Sequence, residues 1–334
     1  MEANTRIDRL KKTLEQIPQY PYATQSRVHP LRSFRKGIFI KRDDELGFGI
    51  SGTKIRKYRT LIPYLIKQHP KEVVVIGGAH SNNVLGLSQL LLENGLKPVL
   101  FLRESGNKKP IGNSLLTRML VPAQDIHWIA RKDWEQVNEL AEAYARSKSN
   151  VSIIPEGSYT PEGFFGALSL VLDILRNEEE DHLAFDHIFI DAGTGMSAIA
   201  LILGYAWLQK TAAIHVLLLA DDERIFLEKL SFLRSVFASL VGFSCPEPNN
   251  FYLHTPVTAR SFGSINRQVW EEIESFAKNE GIFLDPLYSA KLIMEGRKWL
   301  QKDQSEQTVL FIHSGGALSL SGFQDTMRNR MMVR

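Results

Sequence analysis

Short β-branched runs alternate along this chain with longer segments whose leucines recur at helical spacing. The first such run, EVVVI at 72–76, is followed by Gly77 and Gly78, and 82–94 then carries leucines in a helical pattern. The alternation continues with a strand expected at 98–102, a short helix at 113–120, a strand at 125–129, a helix at 132–147 and a strand at 151–154. A second series begins near His187, with strands expected at 188–190, 214–220 and 308–313 and helices at 196–209, 223–240, 267–278 and 288–300. This order predicts parallel βαβ units with helices covering both sheet faces. A helix-like segment and a proline-rich stretch at 19–32 precede the first series. The glycine- and proline-bearing segments 47–52 and 155–163 are the natural crossings between domains. A small α/β domain at 50–163 is therefore expected to be inserted in a larger one formed by 1–49 and 164–334. The acidic run at 177–182, NEEEDH, reads as a solvated loop.

Composition narrows the class more than the function. The chain has 334 residues, enough for roughly two domains, and its 44% hydrophobic and 23% charged residues exclude global disorder. Forty basic against 37 acidic residues leave a net charge of +3, too small to imply a nucleic-acid partner. The single cysteine, Cys245, excludes an intrachain disulfide and any multi-cysteine metal site. The longest apolar stretch, 198–208, falls short of the ~20 residues of a membrane helix. No apolar segment follows the N-terminal charges, so a signal peptide is not expected. The expectation is a cytoplasmic protein with no membrane or nucleic-acid partner and no metal.

Three loops fall at the C-terminal ends of expected strands, where open α/β sheets bind ligands. In GGAHSNN (77–83) two glycines permit a tight turn, and Ser81 and Asn82 can cap the helix that follows. The free N–H groups at such a helix start suit a carboxylate or phosphate. DAGTGMSA (191–198) opens an apolar helix directly after a strand, the context of a phosphate cradle. It also fits G-x-G-x-x-A, with Asp221 and Asp222 after the next strand, which keeps a nicotinamide-dependent oxidoreductase open. HSGG (313–316) either lets a flat ligand approach or ends its strand. Upstream, SGTKIRKY (51–58) places Lys54, Arg56 and Lys57 within four residues, which by composition alone reads as the solvated start of a helix. No G-x-x-x-x-G-K-[ST], H-E-x-x-H or G-x-S-x-G occurs.

Together these segments resemble the D-cysteine desulfhydrase and 1-aminocyclopropane-1-carboxylate deaminase family, pyridoxal-phosphate enzymes of the tryptophan synthase β-like fold (fold type II). The resemblance rests on KRDDELGFGISGTKIRKY, GGAHSNN, IPEGSYTPEGFFG, AGTGMSA, LDPLYSAK and IHSGG, six motifs in family order that span most of the chain. It implies that Lys54 is the Schiff-base lysine and that Lys57 reaches the cofactor phosphate. A lysine in a partly desolvated pocket has a depressed pKa, which suits imine formation. Gly193, Thr194, Gly195, Met196 and Ser197 match the phosphate-binding loop. Asn82 matches the asparagine beside the ring oxygen, Ser81 the serine next to the reacting carbon and carboxylate, and Tyr288 an active-site tyrosine. Asn83, His80 and Phe262 join the substrate-binding set, and Ser289 and Ser314 the cofactor-binding set, one of them facing the pyridine nitrogen. A homodimer acting on a small amino acid is expected.

The departures from the family pattern bear on substrate. His80 stands where a glutamine is usual, Thr53 where an asparagine is usual, and Ser51 where a glycine is usual. Ring-opening deaminases of the family carry a glutamate at the position of Ser289 and a tyrosine in the segment of Phe262. Their absence favours β-elimination from D-cysteine over cyclopropane opening, with deamination of 1-aminocyclopropane-1-carboxylate or another D-amino acid as the alternative. A neutral partner at the ring nitrogen would leave the pyridine a weaker electron sink, which elimination tolerates. A cofactor-binding protein without efficient turnover is the remaining alternative.

Overall fold

The two apolar series of the sequence become two sheets. The computed structural model describes residues 3–106, 110–303 and 306–332. Helix α1 (Ala3–Glu15), strands β1 (Val28–Pro30) and β2 (Ile38–Lys41) and helix α2 (Lys54–Gln68) come first. The smaller sheet follows as β3 (Glu72–Gly78), α3 (Asn82–Glu93), β4 (Pro98–Arg103), α4 (Asn113–Leu120), β5 (Ile126–Ile129), α5 (Val137–Arg146) and β6 (Val151–Ile154). Helices α6 (Pro161–Ala167) and α7 (Ser169–Glu180) lead to β7 (His187–Ala192), α8 (Met196–Leu208), β8 (Ala213–Leu218) and α9 (Glu223–Val241). The chain closes with β9 (Phe251–His254), α10 (Arg267–Glu280), α11 (Ser289–Lys302), β10 (Val309–Ile312) and α12 (Gln324–Met332).

The four-stranded sheet runs β5-β4-β3-β6 with every pair parallel. Its centre explains the EVVVI run. Val73 and Val75 enter one hydrophobic core while Val74 and Ile76 enter another on the opposite face, as a strand buried on both sides requires. The six-stranded sheet runs β1-β2-β10-β7-β8-β9, parallel except for the β1–β2 pair. It takes strands from both sides of the smaller sheet in the sequence. Helix α8 is apolar around its circumference because it packs into the main core of this sheet, and α10 and α11 cover the other face.

The structure departs from the sequence pattern at several places. The strand expected at 214–220 ends at Leu218, and the helix expected at 132–147 starts as a 3₁₀ turn (Arg131–Gln136) before α5. The proline-rich stretch contains β1, whose Pro30 is tolerated on an edge strand. The acidic run is not a solvated loop throughout: Asn177 to Glu180 form the last turn of α7. Asn177 is buried and accepts a hydrogen bond from Lys41 Nζ at 2.6 Å. Among the described residues no helix is long and apolar enough to cross a membrane.

Candidate active site

The loop before α2 is clamped to the loop after β10. Thr53 N–H donates to the Ser314 carbonyl at 2.9 Å. Gly52 adopts φ +54°, and a Cβ there would lie 2.3 Å from that carbonyl oxygen, so only glycine permits the approach. Lys54 then opens the helix, partly buried, and makes no side-chain hydrogen bond among the described residues. Burial holds its ammonium below the usual lysine range, opposed by the carboxylates of Asp191 and Asp285. One turn later Lys57 donates to the Gly157 carbonyl at 3.2 Å. Its pKa is pushed down to about 7, by burial first and then by Lys54 and Lys229, with Asp191 opposing. The string that composition reads as a solvated helix start is thus largely interior: Arg56 and Lys57 are 1% and 5% exposed.

Gly193, Thr194 and Gly195 join β7 to α8, whose first residues are Met196 and Ser197. The unpaired N–H groups of that helix start make an anion site. Gly195 has φ +85°. The loop is braced from two sides. A Cβ on Gly157 would meet Thr194 Oγ1 at 2.3 Å, and one on Gly193 would meet the Tyr288 ring at 3.2 Å. Lys229 of α9 reaches the Thr194 carbonyl at 3.4 Å and pairs with Asp221. This second cation beside the loop has no signal in the sequence, because α9 shows only an amphipathic pattern. Neither acidic residue of the nicotinamide reading is free: Asp221 holds Lys229, and Asp222 caps α9 by accepting Ile225 N–H at 2.8 Å.

At the end of β3, Ser81 rather than Asn82 caps α3, its Oγ accepting from the Asn83 and Val84 N–H groups at 3.1 and 3.3 Å. Asn82 is oriented by Asn113 of α4, whose Nδ2 donates to Asn82 Oδ1 at 2.6 Å and to the His80 carbonyl at 3.2 Å. Asn113 has no sequence signal beyond its place at a helix start. Asn83 turns inward and accepts from Tyr58 and Ser158, both at 3.0 Å, while its Nδ2 has no partner. Burial lowers the His80 imidazole below its usual range.

LDPLYSAK folds around its aspartate. Fully buried Asp285 accepts from the N–H groups of Leu287, Tyr288 and Ser289 at 2.9, 3.0 and 2.7 Å and from Ser289 Oγ at 2.8 Å. Ser289 Oγ in turn accepts from Asp285 N–H at 2.7 Å. The Tyr288 phenol is pushed well up, first by burial and then by the carboxylates of Asp285, Asp191 and Glu156. The Phe262 ring lies 6.3 Å from that of Tyr288, edge to face. Beside it a cavity of about 490 Å³ opens at the ends of β8 and β9, lined by Asp222, His254, Arg260 and Phe262. A groove of about 630 Å³ lined by Ile7, Lys11 and Arg176 contains none of these site residues.

The electrostatics of Lys54, the contacts of Lys57, the packing of Tyr288 on Gly193 and the approach of Asn82 and Asp285 to Gly316 bring the end of β3, the glycine loop after β7, LDPLYSAK and HSGG together. They offer an unpaired amine, an anion cradle flanked by two lysines, and buried polar atoms awaiting partners at Asn83 Nδ2 and Asp191 Oδ1.

Comparisons with known proteins agree with that chemistry. Residues 20–315 match the family described as pyridoxal-phosphate dependent enzyme. A putative 1-aminocyclopropane-1-carboxylate deaminase of Pyrococcus horikoshii is 28% identical over 93% of this chain and 94% of its own. A bifunctional D-cysteine desulfhydrase/1-aminocyclopropane-1-carboxylate deaminase of Arabidopsis thaliana, a mitochondrial protein, is 27% identical over 88% of this chain and 76% of its own. Among solved structures, an ACC deaminase homologue superposes with a TM-score of 0.82 at 25% identity, covering 96% of this chain and 98% of that one. The processed form of threonine deaminase isoform 2 from Solanum lycopersicum gives 0.62 at 14% identity, covering 94% of this chain and 85% of that one, a likeness of fold alone.

Proposed function

The chain belongs to the pyridoxal-phosphate dependent enzyme family and has its fold type II, tryptophan synthase β-like α/β architecture; from that premise we propose that it carries out α,β-elimination on D-cysteine. The overall change consumes D-cysteine and water and yields pyruvate, ammonia and sulfide. The observation that carries the choice of substrate is the surroundings of Tyr288. Where the ring-opening deaminases that it resembles have a glutamate and a second phenol, this chain has Ser289, locked to Asp285, and Phe262.

The residues gathered here support a pyridoxal-phosphate site. Lys54 is the attachment point, and the N–H groups of 193–197 with Lys57 and Lys229 would hold the phosphate. Asn82, fixed by Asn113, would border the ring, and Asn83, Ser289 and Ser314 would complete the cofactor-binding set. When bound, the cofactor captures the substrate amine and delocalises charge from the α-carbon. The protein does the rest. Burial lowers the Lys54 ammonium below the usual lysine range and so favours the free amine, which makes it the group to take the α-proton. Ser81 has its lone pairs occupied by two backbone N–H groups, which leaves its O–H to donate to the substrate carboxylate at the positive end of α3. His80 and Asn83 border the same end of the substrate. Tyr288, held protonated by burial, can donate a hydrogen bond to the departing thiolate and orient it. The same reading takes the enzyme as a cytoplasmic homodimer with a small unit inserted at 50–163. That boundary is supported by the four-stranded sheet, which draws all its strands from between those limits.

A second reading, deamination of 1-aminocyclopropane-1-carboxylate, is supported by the names of the relatives. One experiment separates the two: the visible spectrum of the protein loaded with pyridoxal phosphate, recorded before and after each substrate, with the keto acid product measured. A band shift with pyruvate from D-cysteine is the expected outcome. A 2-oxobutyrate product from the cyclic amino acid, with no pyruvate from D-cysteine, would replace the proposal by the alternative.

A further inference from the structure

Three histidines line up across the larger sheet, against Trp299 of α11. His187 of β7, His215 of β8 and His254 of β9 are joined nitrogen to nitrogen. His187 Nδ1 lies 2.9 Å from His215 Nε2, and His215 Nδ1 lies 3.0 Å from His254 Nε2. At one end His187 Nε2 meets the amide oxygen of Gln307 at 2.7 Å, in an exposed position. At the other, His254 Nδ1 faces the Glu295 carboxyl of α11 at 3.9 Å, roughly 1 Å beyond hydrogen-bond length. Glu295 is buried, and its Oε2 has no partner among the described residues. The proposed reaction uses none of these groups.

A neutral imidazole has one N–H and one lone pair, so such a chain runs in a single direction. With the Gln307 oxygen as acceptor, His187 carries its proton on Nε2. Its Nδ1 must then accept from His215 Nε2, and His215 Nδ1 from His254 Nε2. A bare His254 Nδ1 is left facing Glu295, which satisfies it only by carrying a proton. An ionised Glu295 demands the reverse: Nδ1–H on all three rings, and the amide nitrogen of Gln307 as donor at the far end. We propose that Glu295 and the three histidines form a pH-driven polarity switch, in which one proton lost or gained at Glu295 reverses all three tautomers together. On deprotonation the Glu295 proton passes to His254 Nδ1, the His254 Nε2 proton to His215 Nδ1, and the His215 Nε2 proton to His187 Nδ1. The His187 Nε2 proton leaves to water beside Gln307, whose amide turns over. A buried carboxyl thereby exchanges its proton with solvent at the exposed end of the chain.

The surroundings keep the centre of this chain neutral. Burial pushes His215 down to about 3, and His254 and His187 add to the effect. Burial raises Glu295, opposed by Lys298 and Lys302 of the same helix, and lowers His254, as does Lys298. Tyr252 of β9 and Phe189 of β7 stack on the His215 ring. Asp186, next to His187, is occupied by the Thr308 N–H at 2.8 Å. Closing Glu295 on His254 ties β9 to α11 beneath the loop at 255–263. Lys291 of α11 holds the same loop through the Ala259 carbonyl at 2.8 Å, and the loop brings Phe262 to Tyr288. The switch thus acts at the root of a segment that borders the candidate active site.

The test is the long-range ¹⁵N–¹H correlation of the histidine side chains, read from about pH 6 to 9 on the full chain loaded with pyridoxal phosphate. The expected result is Nε2–H on all three rings at the acid end and Nδ1–H on all three at the alkaline end, with one shared midpoint. Glu295→Gln is expected to abolish this pH dependence. Rings that keep one tautomer across the range, change at separate midpoints or become imidazolium would overturn the proposal. So would a tautomer change that persists in Glu295→Gln. Should that variant not fold, the ¹³C carboxyl signal of Glu295 in the wild type decides: titration at the shared midpoint supports the switch, and titration elsewhere overturns it.

Discussion

Three cations enter α2 within four residues, and the fold treats them in opposite ways. Arg56 donates to Asp43 through Nε and Nη2 at 2.8 and 2.7 Å and to Asp173 at 2.7 Å. Lys41 completes the cluster, 2.6 Å from Asp173. Arg176, partly exposed, also donates to Asp173 Oδ1 at 2.8 Å, so three cations face two carboxylates, and Ser26 and Asn177 take part in the same network. Arg56 is held firmly cationic by the two carboxylates despite its burial. Lys54 and Lys57 lie three apart on another side of the same helix turn and have no bonded carboxylate, and both fall below the usual lysine range. A buried cation with its partners in place is a structural part. One left without them is held ready for a ligand.

The sharpest way to break this contrast is Lys54→Ala. Turnover, measured as pyruvate release, should fall by about 10⁴-fold or more while the thermal melt stays close to that of the wild type. Borohydride-stable attachment of cofactor surviving in that variant would remove Lys54 from its role. Asp43→Ala should do the converse, leaving the buried Arg56 charge half-paired at a cost of about 3–5 kcal/mol in urea unfolding. The spectrum of the cofactor bound to the folded fraction should not change.

Two pH dependences sharpen the comparison further. Lys57 titrates near 7 in the free protein and must be a cation to hold a phosphate. Cofactor affinity is therefore expected to weaken as pH rises above about 7, by at most roughly tenfold per unit, and Lys57→Met should flatten the profile in equilibrium dialysis. Asp43 sits at about 2, below its ordinary 3.8, because Arg56 and Lys41 outweigh the opposing effect of burial. Its contribution to stability is thus present above pH ~4 and lost as pH falls through 2. Urea midpoints from pH 5 to 2.5 should decline in the wild type and decline less in Asp43→Ala.

Much of the scaffold was legible. EVVVI announced a strand buried on both faces, and VSII at Val151–Ile154 formed where its β-branched pattern placed it. The edge strands β1 and β9 were not, since VHP holds one β-branched residue beside a proline and FYLH holds none, so neither stands out from the loops around it. Helices α6 and α7 were hidden behind glycine, proline and an acidic tail. Within the pocket, motif order pointed to Lys54, Lys57, Asn82, Tyr288 and the glycine loop. Asp191, which acts on Lys54, had a signal in its place at the head of that loop. Lys229 and Asn113 had none, being helical residues that become relevant only when α9 and α4 are docked.

The sequence by itself determined the alternation of strands and helices, the glycines that allow close backbone approach at positions 52 and 157, and the chemistry-bearing loops at strand ends. These are local properties, set by periodicity and by steric freedom within a few residues. Only the tertiary structure decided which cations would be paired. Arg56 finds Asp43 thirteen residues away and Asp173 at a separation of 117, while Lys54 meets Asp191 and Asp285 across the pocket without bonding to either. Charge state depends on burial and on what approaches in space, and neither is written in the spacing of K-x-R-K.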